Sequence, residues 1–237
     1  MKLSNRLGCV LSIMEKCELL ADIGCDHGYI CIEAVKNNIC KKAYACDTAK
    51  GPLSAAEGNI LAAGLSDRIK CILSDGLTAF TDDMQPDCIN ITGMGGKLII
   101  KILEDALAHG SCMAKAGQLI LGAQSDIDML RHFIIERTRF TIKRELCICD
   151  DGKFYMLMDI RSEVTPSETY TDTDYELGKY IAAESMDTYM HYLDKHRSKL
   201  MLAVERAGAG ASDDNAAKLS DLRRRLFLIE SRIKEIM

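Results

Sequence analysis

The chain has 237 residues with 30 Lys and Arg against 35 Asp and Glu, so its net charge of -5 excludes a globally basic nucleic-acid coat. Any polyanion it binds must meet a local basic patch. Apolar residues make up 48% and aromatic residues 5%, with no Trp, so a core of Ile, Leu, Met, Ala and Cys is expected, as suits parallel sheet covered by helices.

In chain order, Met1 to Lys16 has apolar residues at helical spacing without the basic start and unbroken apolar run of a signal peptide. Leu19 to Gly24 is an apolar run ending in a turn, followed by a helix to about Lys36. Ala43 to Asp47 predicts a second strand, Pro52 to Ala63 a helix with Pro in its first turn, and Ile69 to Leu73 a third strand closed by Ser74-Asp75-Gly76. Asp87 to Ile91 predicts a fourth strand, with a helix from about Lys97 to Ala108. Gln118 to Leu121 predicts a fifth, with a helix from about Asp126 to Glu136. Phe140 to Cys149 and Phe154 to Ile160, joined by Asp150-Asp151-Gly152-Lys153, predict an antiparallel hairpin. Ser162 to Asp174, with Pro166, has the composition of a linker. A helical stripe then runs from about Tyr175 to Ala207, and Gly208 to Asp214 breaks it before a second stripe from Leu219 to Ile236.

Strands alternating with helices imply a doubly wound α/β sheet with ligands at the carboxyl ends of the strands. The expected domains are 1–162, an α/β unit, and 163–237, an antiparallel coiled-coil pair. No stretch approaches the roughly 18 apolar residues of a spanning helix, and the expectation is a cytoplasmic chain with no membrane partner. Eleven cysteines, an odd count without any CxxC pair, are expected to be reduced core thiols, and no metal site is expected.

The first strand-to-helix turn, Asp22-Ile23-Gly24-Cys25-Asp26-His27-Gly28, lacks the GxGxxG of a dinucleotide site. An acid at the strand end repels a phosphate but can receive the ammonium of a methionine moiety, so the loop suits S-adenosylmethionine. Asp47, after the second strand, can accept both hydroxyls of a ribose, and Asp75-Gly76, after the third, can receive an adenine amine. The fourth strand end, Thr92-Gly93-Met94-Gly95-Gly96, lets a planar substrate approach closely. Each acid reads equally well, taken alone, as a turn or helix-cap carboxylate, and the glycines as a tight turn.

Together, Asp22 to Tyr29, Asp75-Gly76-Leu77, Gly93-Met94-Gly95-Gly96, Asp151-Gly152-Lys153 with Tyr155, and the opening Leu3-Ser4-Asn5-Arg6-Leu7 resemble the bacterial tRNA (adenine-22-N1)-methyltransferases, the TrmK family. The resemblance covers nearly the whole chain. It departs at Gly122-Ala123, where the family often has Gln-Pro, and at Cys25, where it often has Ser.

The resemblance implies a class I (Rossmann-like) methyltransferase fold and methyl transfer from S-adenosylmethionine to N1 of an adenine in the D-loop region of tRNA. Cofactor contacts are then expected from Asp22, Gly24, Asp26, His27, Gly28, Asp47, Asp75, Gly76, Gly93 and Met94. The methylated base is cationic, so Asp26 is the expected catalytic carboxylate, with His27 orienting substrate or cofactor. Asp26 could alternatively cap the following helix. Substrate contacts are expected from Tyr29, as a stacking face, and from Gly95, Gly96, Arg6 and Arg131, with Lys41, Lys42 and Lys97 as further phosphate contacts. On the helical pair Lys195, Arg197, Arg223 and Arg224 are the candidates, although a charged helix face is often only solvated. A monomer is expected. The competing readings are a methyltransferase for another RNA site or a small molecule, and a non-catalytic S-adenosylmethionine-binding scaffold.

Overall fold

The computed structural model describes residues 3–109, 113, 115–162, 169–208 and 213–237. Residues 163–168 of the expected linker, with Pro166, most of the expected break after Gly208, and Cys112 lie outside them.

Seven strands form one sheet in the order β3-β2-β1-β4-β5-β7-β6. They are β1 (Cys17–Ile23), β2 (Cys40–Asp47), β3 (Ile69–Leu73), β4 (Cys88–Met94), β5 (Gln118–Ala123), β6 (Thr141–Asp150) and β7 (Lys153–Arg161). The first five are parallel, and β7 runs antiparallel between β5 and β6. Every residue of β5 is buried, because helices cover both faces, and its sequence is accordingly almost continuously apolar. The hairpin turn has Asp151 and Gly152 at φ 49 and 70, the left-handed pair of a type I′ turn.

Helices α1 (Asn5–Ile13), α2 (Tyr29–Lys36) and α3 (Lys50–Ala62) pack Val10, Ile13, Ile30, Val35, Leu53 and Ile60 onto one face of the sheet. On the other face, α4 (Gly96–His109) and α5 (Ile127–Arg137) bury Ile99, Leu103, Leu130, Phe133 and Ile134. The end of α1 is pinned by Gln118, whose Nε2 donates to the Ile13 carbonyl and to the Asp159 carboxylate, both at 2.8 Å.

The expected single helix from Tyr175 to Ala207 is two. A short α6 (Asp172–Leu177) begins inside the expected linker, where Thr171 and Asp174 form a capping box. It stops at Gly178, whose φ of 94 leads into a single 3₁₀ turn at Ala183–Ser185 before α7 (Met186–Gly208). The periodicity was continuous across this break because Leu177 and Ile181 are both anchored inward, Leu177 by packing with α7 and Ile181 beside β6. Helix α8 (Asp213–Ile236) returns along α7, and Leu193, Leu200, Leu228, Ile229 and Ile233 form a third core that includes Cys147 and Met156 of the hairpin.

Candidate active site

The strand order puts the carboxyl ends of β1 to β4 on one edge, and the turn after β1 is wound unusually tightly. Gly24, Asp26 and Gly28 all have positive φ, at 76, 51 and 71, and the N–H groups of Gly24 and Cys25 both donate to the carbonyl of Cys46 on β2. Gly28 is the N-cap of α2 and no side chain caps that helix, so Asp26 is not a helix cap. Its side chain is 70% exposed, with Oδ1 3.6 Å from Nε2 of His27, and the His27 ring stacks on Tyr29 with centroids 5.4 Å apart. Asp47 joins the first two strand ends: its carboxylate accepts from Ala49 N–H at 2.9 Å and from Asp26 N–H at 3.4 Å. The third end is drawn in by Ser74, whose N–H donates to the Asp47 carbonyl and whose hydroxyl donates to the Gly76 carbonyl, leaving Asp75 exposed.

Asp22 lies below this rim, 3% exposed, with Asn90 Nδ2 donating to it at 2.7 Å and the Cys31 thiol at 3.8 Å. Burial pushes its carboxyl up to about 6, with Asp47 adding to the rise and the two donors opposing it. Asn90 is itself 1% exposed, and its Oδ1 has no partner. No sequence reading singled out Asn90, although an amide between Ile89 and Ile91 on a central strand was a visible signal.

The fourth strand end is less of a loop than expected, since β4 continues through Met94 with a bulge between Thr92 and Met94. The Met94 methyl lies so close to Gly24 that a Cβ there would overlap it. A Cβ on Gly93, at φ 87, would stand 3.0 Å from Nη1 of Arg6, and one on Gly96 2.6 Å from the Ser125 carbonyl. Arg6 is therefore at the site: its N–H donates to Asp150 and its guanidinium lies 5.4 Å from the Tyr155 ring centroid, so α1, the hairpin and β4 meet there. Gln124, also not singled out, approaches Gly93 from the end of β5.

Other expected contacts fall elsewhere. Arg131 is 1% exposed and cannot reach a phosphate: its guanidinium is bound to Glu145 at 2.8 and 2.9 Å and donates to the carbonyls of Tyr175 and Glu176. Lys41 and Lys42 begin β2 rather than end it, so they sit on the opposite edge of the sheet, where Lys41 pairs with Glu18. Lys97, at the start of α4, pairs with Asp126 on the site's own edge. Arg197 pairs with Asp194, and Arg224 with Asp221 and more distantly with Glu176 and Asp172, whereas Arg223 is exposed. Lys195 lies over Phe154, 5.2 Å from its centroid, and helps line a groove of about 420 Å³ that also takes in Gln124, Ser125, Lys153, Lys199 and Arg225. The groove joins the helical pair to the fifth strand end.

A raised carboxyl has a stability signature. Asp22 favours the fold fully below its ordinary 3.8, and this contribution is lost as pH rises through about 6. The difference corresponds to roughly 3 kcal/mol. Urea unfolding should therefore find Asp22→Asn more stable than the parent at about pH 7.5 by an amount of that order, with the advantage shrinking toward pH 4. A pH-independent difference would refute the raised carboxyl.

A profile described as "Methyltransferase domain" matches residues 3–158. The chain belongs to the methyltransferase domain family. This methyltransferase is 26% identical over 234 residues to the tRNA (adenine(22)-N(1))-methyltransferase of Bacillus subtilis, covering 97% of this chain and 96% of the relative. It superposes on M. capricolum TrmK, solved with S-adenosyl-homocysteine, with a TM-score of 0.84 and 27% identity over the whole of both chains. Streptococcus pneumoniae Sp1610, solved with S-adenosyl-L-methionine, gives 0.84 at 29% identity, covering 97% of the methyltransferase and 99% of that chain. The profile stops within β7, but these similarities extend through α6, α7 and α8.

Proposed function

We propose that this methyltransferase carries a methyl group from S-adenosyl-L-methionine to N1 of adenine 22 in tRNA. The observation that carries the reading is similarity to the Bacillus subtilis enzyme over 97% of the chain, helical appendage included, rather than over the catalytic unit alone. Residues 1–162 form the catalytic unit in this reading, and 163–237 help to hold the tRNA. We place the enzyme in the cytoplasm, a compartment that suits cysteines free wherever described.

The site suits the cofactor on three counts: glycines at Gly24 and Gly93, where the Met94 methyl and the Arg6 guanidinium press against the backbone, acids at three successive strand ends, and an orphaned buried amide oxygen on Asn90. When bound, S-adenosyl-L-methionine supplies a methyl on a sulfonium. Asp47 accepts the ribose hydroxyls, Asp75 the adenine amine, and Asp22, backed by Asn90, favours the ammonium. Asp26 faces the base, stabilising the positive charge it gains, and His27 and Tyr29 hold its plane. Gly95 and Gly96 leave room for the base, while Arg6, supported by Tyr155, meets backbone phosphate. Lys195, Arg197, Arg223 and Arg224 engage RNA farther out. Neutral adenine has a lone pair at N1, so in-line positioning matters more than a strong base.

Incubation with labelled S-adenosyl-L-methionine and tRNA lacking the modification, followed by nucleoside mass spectrometry, should yield 1-methyladenosine at position 22. Cofactor binding without any methylated adenosine would overturn the substrate reading and leave the family membership standing. Asp47→Ala should weaken cofactor binding about 10- to 100-fold in titration calorimetry, the loss expected for charge-assisted hydrogen bonds. An unchanged affinity would remove Asp47 from the cradle.

A further inference from the structure

The edge of the sheet away from the active site carries a cluster that methyl transfer does not use. Cys17, Cys40 and Cys88 are the first residues of β1, β2 and β4, three adjacent strands. Cys17 and Cys40 are partners in register, and Cys17, Cys40 and Cys88 pack into the same core cluster. Adjacent strands lie about 4.8 Å apart, within the Cα separation of about 4.4 to 6.8 Å that a disulfide spans.

Access fits a reactive thiol. Cys17 is half-buried, and a cavity of about 490 Å³ is lined by Cys17 and Cys40 together with Lys16, Lys41, Arg68 and Asp87. A second, of about 270 Å³, reaches Cys17 and Cys88 from the side of Gln118 and Arg161. The two thiol donors hold Cys17 below its ordinary range, while burial, Asp87 and Glu18 act in the opposite sense. Glu18 is engaged by Lys41, and the Asp87 carboxylate already accepts from the N–H groups of Glu18 and Leu19. No group of three His, Cys, Asp or Glu side chains among the described residues has the arrangement of a metal site, so thiol chemistry is the better fit.

We propose that Cys17 and Cys40 are a reversible redox pair, oxidised to a disulfide by hydrogen peroxide. The Cys17 thiolate attacks one peroxide oxygen: an S–O bond forms, the O–O bond breaks, and the departing hydroxide takes a proton to become water. The Cys40 sulfur then attacks the sulfenic sulfur, forming the S–S bond and releasing the second water. Two thiols lose two electrons and peroxide gains them. Cys88, which lines a cavity with Cys17 and donates to Gln118 Oε1, stands beside the pair as an alternative resolving thiol.

The folded full-length protein would be exposed to a few equivalents of peroxide, alkylated under denaturing conditions and digested with trypsin. The expected product links the peptides 17–36 and 37–41 through Cys17 and Cys40, as read by fragmentation, and dithiothreitol reverses it. In a Cys40→Ser/Cys88→Ser variant, with its fold checked by its unfolding midpoint, the link disappears and dimedone labels Cys17. If Cys17 and Cys40 stay alkylatable while other cysteines oxidise, or if dimedone finds Cys17 unreactive in the double variant, the proposal is overturned.

Discussion

Asp26→Asn should lower methyl transfer about 100- to 1000-fold, the range seen when one preorganised group facing transition-state charge is lost, with cofactor affinity unchanged within a few-fold. The substitution is chosen for the backbone. Asp26 sits at φ 51, where alanine would add about 1 to 2 kcal/mol of conformational strain and blur the result. Asparagine tolerates that region, keeps the shape and removes only the charge. The Asp26 N–H bond to Asp47 is a backbone contact and survives the change, so the cradle stays intact. Single-turnover rates with tRNA and calorimetry with the cofactor separate the two quantities. Lost cofactor binding with normal single-turnover chemistry would move Asp26 from the reacting base to the cradle.

The second large effect is on stability. Arg131→Met leaves the Glu145 carboxylate buried without its partner and strips the carbonyls of Tyr175 and Glu176 of their donors. Breaking a buried pair in this way costs about 3 to 5 kcal/mol. At about 2 to 4 °C per kcal/mol for a chain of this size, the Tm should fall by roughly 6 to 20 °C in a calorimetric scan. The double variant Arg131→Met/Glu145→Met should recover much of that loss, because an apolar pair of similar volume has no charge to desolvate. Equal destabilisation by single and double variants would show that packing, not charge, holds the site. Glu145 also receives the Lys179 N–H, and its backbone bonds to Tyr180 and Ala182 lash the segment before α7 to β6. The helical pair thus depends on a charge buried under α5.

Several features were determined locally and could be read directly. Apolar runs of strand length between helical stretches are enough to imply a parallel sheet, because only helices can cover both faces of such strands. Asp151-Gly152 specifies its own turn, since both residues must adopt positive φ. The strand ends alone bring the acids Asp22, Asp47 and Asp75 to one edge of the sheet, with the glycines between Gly93 and Gly96.

What only the tertiary structure decided involves partners distant in sequence. Arg131 looks like any basic residue on a helix, and its burial exists only because Glu145 lies opposite on β6. Lys41 and Lys42 stand at the amino end of the strand whose carboxyl end carries Asp47, so the direction of the strand alone puts them on the edge opposite the site. The break at Gly178 hides within a regular apolar spacing because the residues on either side of it face the same core, and Glu145 packs against the spot where a Cβ would be. Arg6 belonged to an opening motif, but its approach to Gly93 needed α1 to fold over the hairpin. Asn90 reaches the Asp22 carboxylate only because β4 lies beside β1. Local chemistry sets periods, turns and caps, whereas the pairing of buried polar groups is set by which elements the packed core brings together.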